Sequence, residues 1–461
     1  MLREIYLQTR KIIKQPKFYN ILNAVITNLD YNPVSLTKNL LGSVVKLVDA
    51  PHSKCGTLGY VGSSPTAPIL MNTYSRFDIC FKKGKGCWLW DSNGKKYLDG
   101  VAGIATCSLG HSDKVLRKKL SSQLKKLQHV SNLYHIEEQE ILAQWLTNKS
   151  FADNVFFCNS GAEANEAAIK LIRKYGNSKD QGYEKIILAA ESSFHGRTLA
   201  TLSATGQSKY HQGFEPLVSG FKFFKYNDIE SVKRAYEECK KLNQFISGII
   251  IEPIQGEGGV IPGEITFFKE LRKISEQNDS LLILDEVQSG IGRTGKMWGY
   301  EGLCIEPDGF TLAKGLGGGH AIGALLVNKK ANIFEPGDHA STFGGNPFAC
   351  IAALTVLEEI DRRNLLKNVC SRGKQLEVGL KEISQKFPNL IKGQRGLGLL
   401  QGLVINEDVI DAKSLTLRAF DHGLLIVPAG NNVVRIVPPL IISSREINII
   451  LNKLILIFQD M

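Results

Sequence analysis

Five short stretches set chemistry-bearing side chains among small or apolar residues. Cys158-Asn159-Ser160-Gly161-Ala162-Glu163-Ala164 follows an apolar run and opens a helical pattern. Small residues there leave backbone N–H groups free at a helix N-terminus, a setting for a phosphate, although an ordinary Ser/Gly helix start reads the same. Phe194-His195-Gly196-Arg197 offers an aromatic to stack on a flat ring and an arginine to hold a carboxylate, or else a core Phe beside a surface Arg. The run Ile249 to Gly259 puts Glu252 directly after an apolar strand and Glu257 in a Gly-rich loop. A carboxylate so placed is expensive to bury unpaired, and a solvated loop is the alternative. Asp285 ends the apolar run Leu281–Leu284. If buried it needs a cationic partner, and a protonated pyridine nitrogen would serve while making that ring a stronger electron sink; if solvated it caps a turn. Lys314 lies in the Gly-rich, apolar stretch Thr311 to Gly319. Desolvated, its amine is nucleophilic toward carbonyls; at the surface it snorkels.

Taken singly these readings stay open. Their order is more specific: a phosphate cradle, a stacking Phe, a strand-end Asp and an apolar-loop Lys together describe a site for pyridoxal 5′-phosphate. The elements that must position them alternate. Strands are expected over 155–158, 185–189, 246–252 and 281–285, with helices over 162–175, 228–242 and 265–278. Continuous Ile/Leu/Val strands between helices predict an α/β fold with a mostly parallel sheet covered on both faces. Ligands in such sheets bind beyond the carboxyl ends of the strands, where these residues fall. Residues 86–100 read as a hairpin turning at Ser92-Asn93-Gly94-Lys95, and 113–148 alternate charge with Leu/Ile at helical spacing. Helices near 349–359 and 364–386 and an α+β ending read as a second, smaller domain.

The chain has 461 residues, 43% hydrophobic and 22% charged, which excludes disordered and fibrous classes. No apolar run approaches the roughly 18 residues of a membrane span. Of the net charge of +11, +5 comes from the first seventy residues, so the main body has no nucleic-acid footprint. Nine scattered Cys without a CxxC pair predict free thiols in a reducing, cytoplasmic setting and no metal site. Residues 1–70 lack a clear period. Gly62-Ser63-Ser64-Pro65 and Val44 to Pro51 resemble translated arms of a tRNA gene, so 1–70 is expected to be a spurious or non-globular extension ahead of a start at Met71. An organelle presequence and a basic nucleic-acid arm are the alternatives.

From about residue 75 the chain resembles the class III pyridoxal-phosphate aminotransferases, and within them the acetylornithine branch. The resemblance rests on CNSGAEANEAAIKLIRKYG, FHGRT, EPIQGEGG, LDEVQSGIGRTG, TLAKGLGGG, STFGGNP and RIVPPL, in that order. It implies a fold-type I pyridoxal-phosphate transferase with a seven-stranded large-domain sheet over 126–345. A smaller α+β domain would form from 71–125 and 346–461. It implies Lys314 as the Schiff-base lysine and proton shuttle, and Asp285 on the pyridinium. Val287 and Phe194 would lie on the two ring faces, with Gln288 at the ring hydroxyl and Glu286 also among the cofactor residues. Ser160, Gly161 and Ala162 would cradle the phosphate. Thr342, with Ser341 beside it, would reach the phosphate of a neighbouring subunit in an obligate homodimer with shared sites.

The implied reaction converts N-acetylornithine and 2-oxoglutarate to N-acetylglutamate 5-semialdehyde and glutamate, a step of arginine biosynthesis. Arg197 would hold the far carboxylate of acetylornithine. Arg435 would hold the α-carboxylate of glutamate, masked by Glu257 while the ω-amino donor is bound; Glu252 would support from the strand end. A Tyr stands at the position of Ile104 in the similar ornithine aminotransferases, so an apolar residue favours an acylated nitrogen. Ornithine, succinylornithine, N-succinyl-diaminopimelate and 4-aminobutyrate remain alternative donors, and a pyridoxal-phosphate-bearing regulator is the non-enzymatic alternative. Three departures stand out: Ser112-Asp113-Lys114, which puts a helix start in question, His320-Ala321 beside the Gly run, and Ala340 before Ser341.

Overall fold

Seven apolar runs form the central sheet of the computed structural model, which describes residues 70–179 and 182–461. They are β1 Asn154–Cys158, β2 Glu184–Ala190, β3 Phe221–Phe224, β4 Gln244–Ile251, β5 Leu281–Asp285, β6 Gly309–Leu312 and β7 Gly323–Val327. Their order across the sheet is β1-β7-β6-β5-β4-β2-β3. β7 is antiparallel to both neighbours, while β3, β2, β4, β5 and β6 run parallel. Successive residues serve opposite faces. Ile187, Ala189, Ile250 and Ile283 pack under Ala167, Ala168, Leu171 and Ile172 of the helix Gly161–Lys179. Ile186, Leu188, Ile249, Ile251, Leu282 and Leu284 belong to the larger core on the other face. Burial on both faces is what made these strands read as unbroken Ile/Leu runs. The helix lies close because glycines meet it: a Cβ on Gly248 would stand 2.8 Å from Ile172 Cγ2.

The carboxyl ends of β1, β2, β4, β5 and β6 leave the sheet on one edge. The loops there begin at Asn159, Glu191, Glu252, Glu286 and Ala313, so all five singled-out stretches arrive together, Lys314 with the loop after β6. β3, β6 and β7 were not expected from the sequence. Four or five residues are too few for a period to tell strand from loop.

The rest of the unit Asp78–Met461 supplies the second layer of helices and sheet. Helices Pro347–Arg362, Leu365–Lys386, Ala412–Asp421 and Ser444–Gln459 accompany an antiparallel sheet ordered Ile391–Leu397, Leu400–Ile405, Val433–Ile436, Val427–Ala429. The expected hairpin is present as Trp88–Asp91 and Lys96–Asp99, extended by Phe81–Lys85. Lys96–Asp99 pairs in parallel with Leu424–Leu425, which joins the first strands of the unit to its last third. The expectation concerning residues 1–70 lies outside the described residues, Leu70 excepted.

The helical spacing over 113–148 resolves into two helices, Lys114–Leu124 and Glu137–Asn148. The departure at Ser112-Asp113-Lys114 does not cost the first its start. Asp113 is its N-cap, accepting from Val115 N at 2.9 Å and Leu116 N at 3.1 Å, and it also meets Arg363 at 2.7 Å. Asp113→Ala removes both and is expected to lower stability by about 1 kcal/mol, read from the urea midpoint. Asp113→Asn keeps the cap and should lose only the smaller ionic part.

Candidate active site

Asp285 terminates β5 and is 4% exposed. Its Oδ2 accepts from Asn165 Nδ2 at 2.7 Å and lies 2.8 Å from His195 Nδ1; Oδ1 accepts from Val287 N at 3.0 Å. Asn165 is fixed in turn. The same Nδ2 reaches the His195 carbonyl at 2.8 Å, and its Oδ1 accepts from Thr311 Oγ1 at 2.7 Å. Helix, β2 loop, β5 and β6 are thereby tied to one carboxylate. Its burial as an anion is tolerable because donors surround it. Asn165 and Thr311 were not singled out from the sequence. Asn165 left a signal, a polar residue on the apolar face marked by Ala164, Ala168 and Leu171.

Lys314 follows β6 with φ +41° and opens a short 3₁₀ turn to Gly317. Its ammonium makes no hydrogen bond or ion pair among the described residues. Burial pushes it below the usual lysine range; Glu257 opposes that and Arg435 adds to it. Ser108 Oγ donates to the Gly315 carbonyl at 3.0 Å and ties this turn to the segment before it in sequence. That segment is strained: Ala102, Gly103, Ile104 and Ala105 all have φ between +49° and +63°, a left-handed turn that costs about 1–2 kcal/mol per non-glycine residue. Asp99 holds it, accepting from Val101 N and Ala102 N at 2.9 and 2.8 Å. Ile104 is presented 38% exposed.

At the β1 end, Ser160 Oγ accepts from Glu163 N at 3.2 Å. The amides of Gly161 and Ala162 meet no acceptor among the described residues and sit at the positive end of a 19-residue helix. Gly161 lies against Val287: a Cβ there would stand 2.7 Å from Val287 Cγ1. Phe194 is half-buried, with its ring edge-on to Tyr210 at 5.9 Å. The Arg197 guanidinium lies 4.0 Å over Tyr210 and 5.6 Å from Phe194, without an ion pair among the described residues. Tyr210 carried no signal in sequence.

Arg435 is fully buried. Its Nη1 donates to Glu257 Oε1 at 2.6 Å and to Gln288 Oε1 at 2.8 Å. Burial alone would raise the Glu257 carboxyl, but Arg435, with Lys314 and Gln288, outweighs it and the net shift is downward. Glu286 departs from its expected company. Its carboxyl turns to the start of the helix Gly299–Leu303, accepting from Gly299 N at 2.5 Å and Tyr300 N at 2.8 Å. Alternation along the chain decides this, since Asp285 and Glu286 face opposite ways. Burial pushes Glu286 up to about 8. Ser341 Oγ accepts from Asn159 Nδ2 at 3.2 Å, so Ser341 lies beside the β1 loop of its own chain. Thr342 is exposed and lines, with Ser341, Ala340, His129, Asn132 and Leu133, a cleft of about 600 Å³. His320 packs edge-on to Phe348 at 5.5 Å.

Known proteins resemble this arrangement. A family model described as aminotransferase class-III matches residues 69–458. An acetylornithine aminotransferase of Prochlorococcus marinus subsp. pastoris is 76% identical over 90% of this chain and 100% of its own length. The structure of an N-acetylornithine aminotransferase from Stenotrophomonas maltophilia K279a superposes with a TM-score of 0.72 at 35% identity, covering 84% of this chain and 97% of that one. An ornithine aminotransferase from Toxoplasma gondii ME49 gives 0.80 at 28%, covering 85% and 93%.

The Glu257–Arg435 pair sets a pH dependence. Because the folded carboxyl titrates below its unfolded value, its contribution is present above the ordinary carboxylate range and fades as pH falls through it. Glu257→Gln should cost about 1–3 kcal/mol at neutral pH, and the gap to wild type should close between about pH 5 and pH 3 in urea titrations.

Proposed function

The chain belongs to the class III aminotransferases, and from that premise we infer that it moves an amino group from N-acetylornithine to 2-oxoglutarate with pyridoxal 5′-phosphate, in arginine biosynthesis. The high identity along the full length of a curated acetylornithine aminotransferase carries this reading. When bound, the cofactor supplies a carbonyl to capture the substrate amine and an electron sink for the carbon that loses a proton.

The residues present fit that group. The free amides of Gly161 and Ala162 suit its phosphate, and a side chain on Gly161 would close the approach. Asp285 keeps Oδ1 available to a ring N–H beyond the Val287 amide. Phe194 and Val287 bound the ring on its two faces. Lys314, unpaired among the described residues and with a proton affinity lowered by burial, would supply the amine that attacks a carbonyl and would later take and return the substrate proton.

Two arginines sort the carboxylates. Arg197, free of protein carboxylates, holds the far carboxylate of acetylornithine and leaves the δ-amine at the ring. Arg435 is neutralised by Glu257 while that donor is bound, and it takes the α-carboxylate of glutamate when Glu257 turns away. The apolar side chain of Ile104 suits an acylated nitrogen better than a free ammonium. The working unit is a homodimer: Leu133, Tyr134 and Phe343 are 88%, 67% and 60% exposed around the cleft that Thr342 lines. A second copy would cover them and receive Thr342 at its phosphate site. The eight described cysteines are free, which suits the cytoplasm.

Stopped-flow absorbance of the bound cofactor tests the donor. N-acetylornithine is expected to bleach it faster than ornithine, succinylornithine or 4-aminobutyrate, 2-oxoglutarate to restore it, and Lys314→Ala to abolish both. Faster bleaching by another donor moves the substrate, and no response to any of them ends the reading. Sedimentation velocity tests the assembly. Wild type should run as a dimer, and Leu133→Asp with Phe343→Asp should give monomers with weakened cofactor binding.

A further inference from the structure

Two carboxyl groups end neighbouring strands on the floor of the site, and only Asp285 has an evident task. Glu252 follows β4 immediately and is 5% exposed. Its oxygens accept from Phe194 N at 3.1 Å and Gly256 N at 3.2 Å. No lysine or arginine pairs with either carboxyl among the described residues. The nearest compensation is His195, whose side chain is fully buried. Its Nδ1 lies 2.8 Å from Asp285 Oδ2, while Nε2 is buried with no partner among the described residues. The register sets Ile251 beside Leu284, so Glu252 and Asp285 follow side by side on neighbouring strands, and a like charge so placed, with only an imidazole to offset it, opposes ionisation of Glu252. Burial pushes the Glu252 carboxyl up to about 7; the facing His195 opposes that and Asp285 adds to it. The other groups facing Glu252 are Lys314 from the turn after β6 and Tyr226 from the loop after β3. The Tyr226 hydroxyl donates to the Glu252 and Pro253 carbonyls at 2.9 and 3.0 Å, not to the carboxyl.

We propose that His195 and Glu252 flank Asp285 as a positioning pair: before the ring docks Glu252 carries a proton, and a protonated ring nitrogen arriving at Asp285 expels it. The step is a simple ionisation. The O–H bond of Glu252 breaks, its electron pair stays on the carboxylate, and the proton passes to the buffer. The new anion is balanced by the ring charge, while His195 Nδ1 and Asn165 keep Asp285 aimed. Since the loaded site binds fewer protons than the empty one, this pair strengthens ring binding as pH rises through about 7.

The inference rests on the pyridoxal-phosphate reading, and its test separates the two. Pyridoxamine 5′-phosphate binds without joining Lys314, so calorimetric titration of the apoenzyme in two buffers of different ionisation enthalpy counts protons without that reaction. At pH 7 wild type should release about half a proton more than Glu252→Gln, and its affinity should gain about threefold more between pH 6.5 and 7.5. Glu252→Asp should restore the release. A purely structural role for Glu252 would leave the proton count unmoved, so a folded Glu252→Gln releasing as many protons as wild type overturns the proposal. If that variant shows no cooperative melting, His195→Gln replaces it. Removing the group that opposes protonation of Glu252 should move the release to higher pH, and an unmoved release overturns the pairing. Failure of wild type to bind pyridoxamine 5′-phosphate at all overturns the functional reading, and the pair with it.

Discussion

A buried anion at the end of an apolar strand governs the architecture around this site. Asp285 sits where water cannot reach it, and an isolated carboxylate there would cost several kcal/mol. The fold meets that requirement by bringing donors from separate elements: an Asn from the first helix of the sheet domain, a His from the loop after β2, and a backbone amide from its own turn. Thr311 on β6 then fixes the Asn. Because each donor arrives on a different piece of chain, the carboxylate also acts as a gauge of whether those pieces are in register. Displacing the helix or β6 relative to β5 would leave a charge unpaired, so the phosphate cradle, the ring floor and the Lys314 turn are set by one electrostatic condition.

The two arginines show how environment, rather than residue type, divides labour. Arg435 lies in the interior, and Glu257 and Gln288 accept from its Nη1 at 2.6 and 2.8 Å. Arg197 is exposed and rests on the Tyr210 ring, without an ion pair among the described residues. A carboxylate arriving at Arg435 must displace an ion pair, whereas one arriving at Arg197 displaces water. The strained turn over Ala102–Ala105 is a third feature set by its surroundings. Its left-handed backbone persists only because Asp99 ties both of its leading amides, and it places Ile104 where a regular turn would not.

Much of this was legible in the sequence. Strands β4 and β5 announced themselves as unbroken apolar runs because both faces of the sheet are covered. Asp285, Lys314 and Glu257 stood out because charge beside such runs has to be accounted for, whereas Arg435 entered only through the family resemblance. Less legible were Asn165, Thr311 and Tyr210, polar or aromatic residues whose partners are far along the chain; the Asn165 side chain meets Asp285 across 120 positions. Glu286 shows the opposite limit. Next to Asp285 it looked like part of the same site, yet one step along the backbone turns its carboxyl toward a different helix.

What the sequence determined by itself was the set of chemical groups, their order, and the alternation that makes strands end where ligands bind. Those are local properties: the period of burial, the residues at strand ends, and the glycines that let loops approach one another. Only the tertiary structure decided which groups meet. The closing of Glu257 on Arg435, the ring of donors around Asp285 and the unpaired Nε2 of His195 beside a second buried carboxyl depend on distances between segments remote in sequence. Burial, which sets both the charge state and the strength of each contact, belongs to the packed whole and to no single stretch of it.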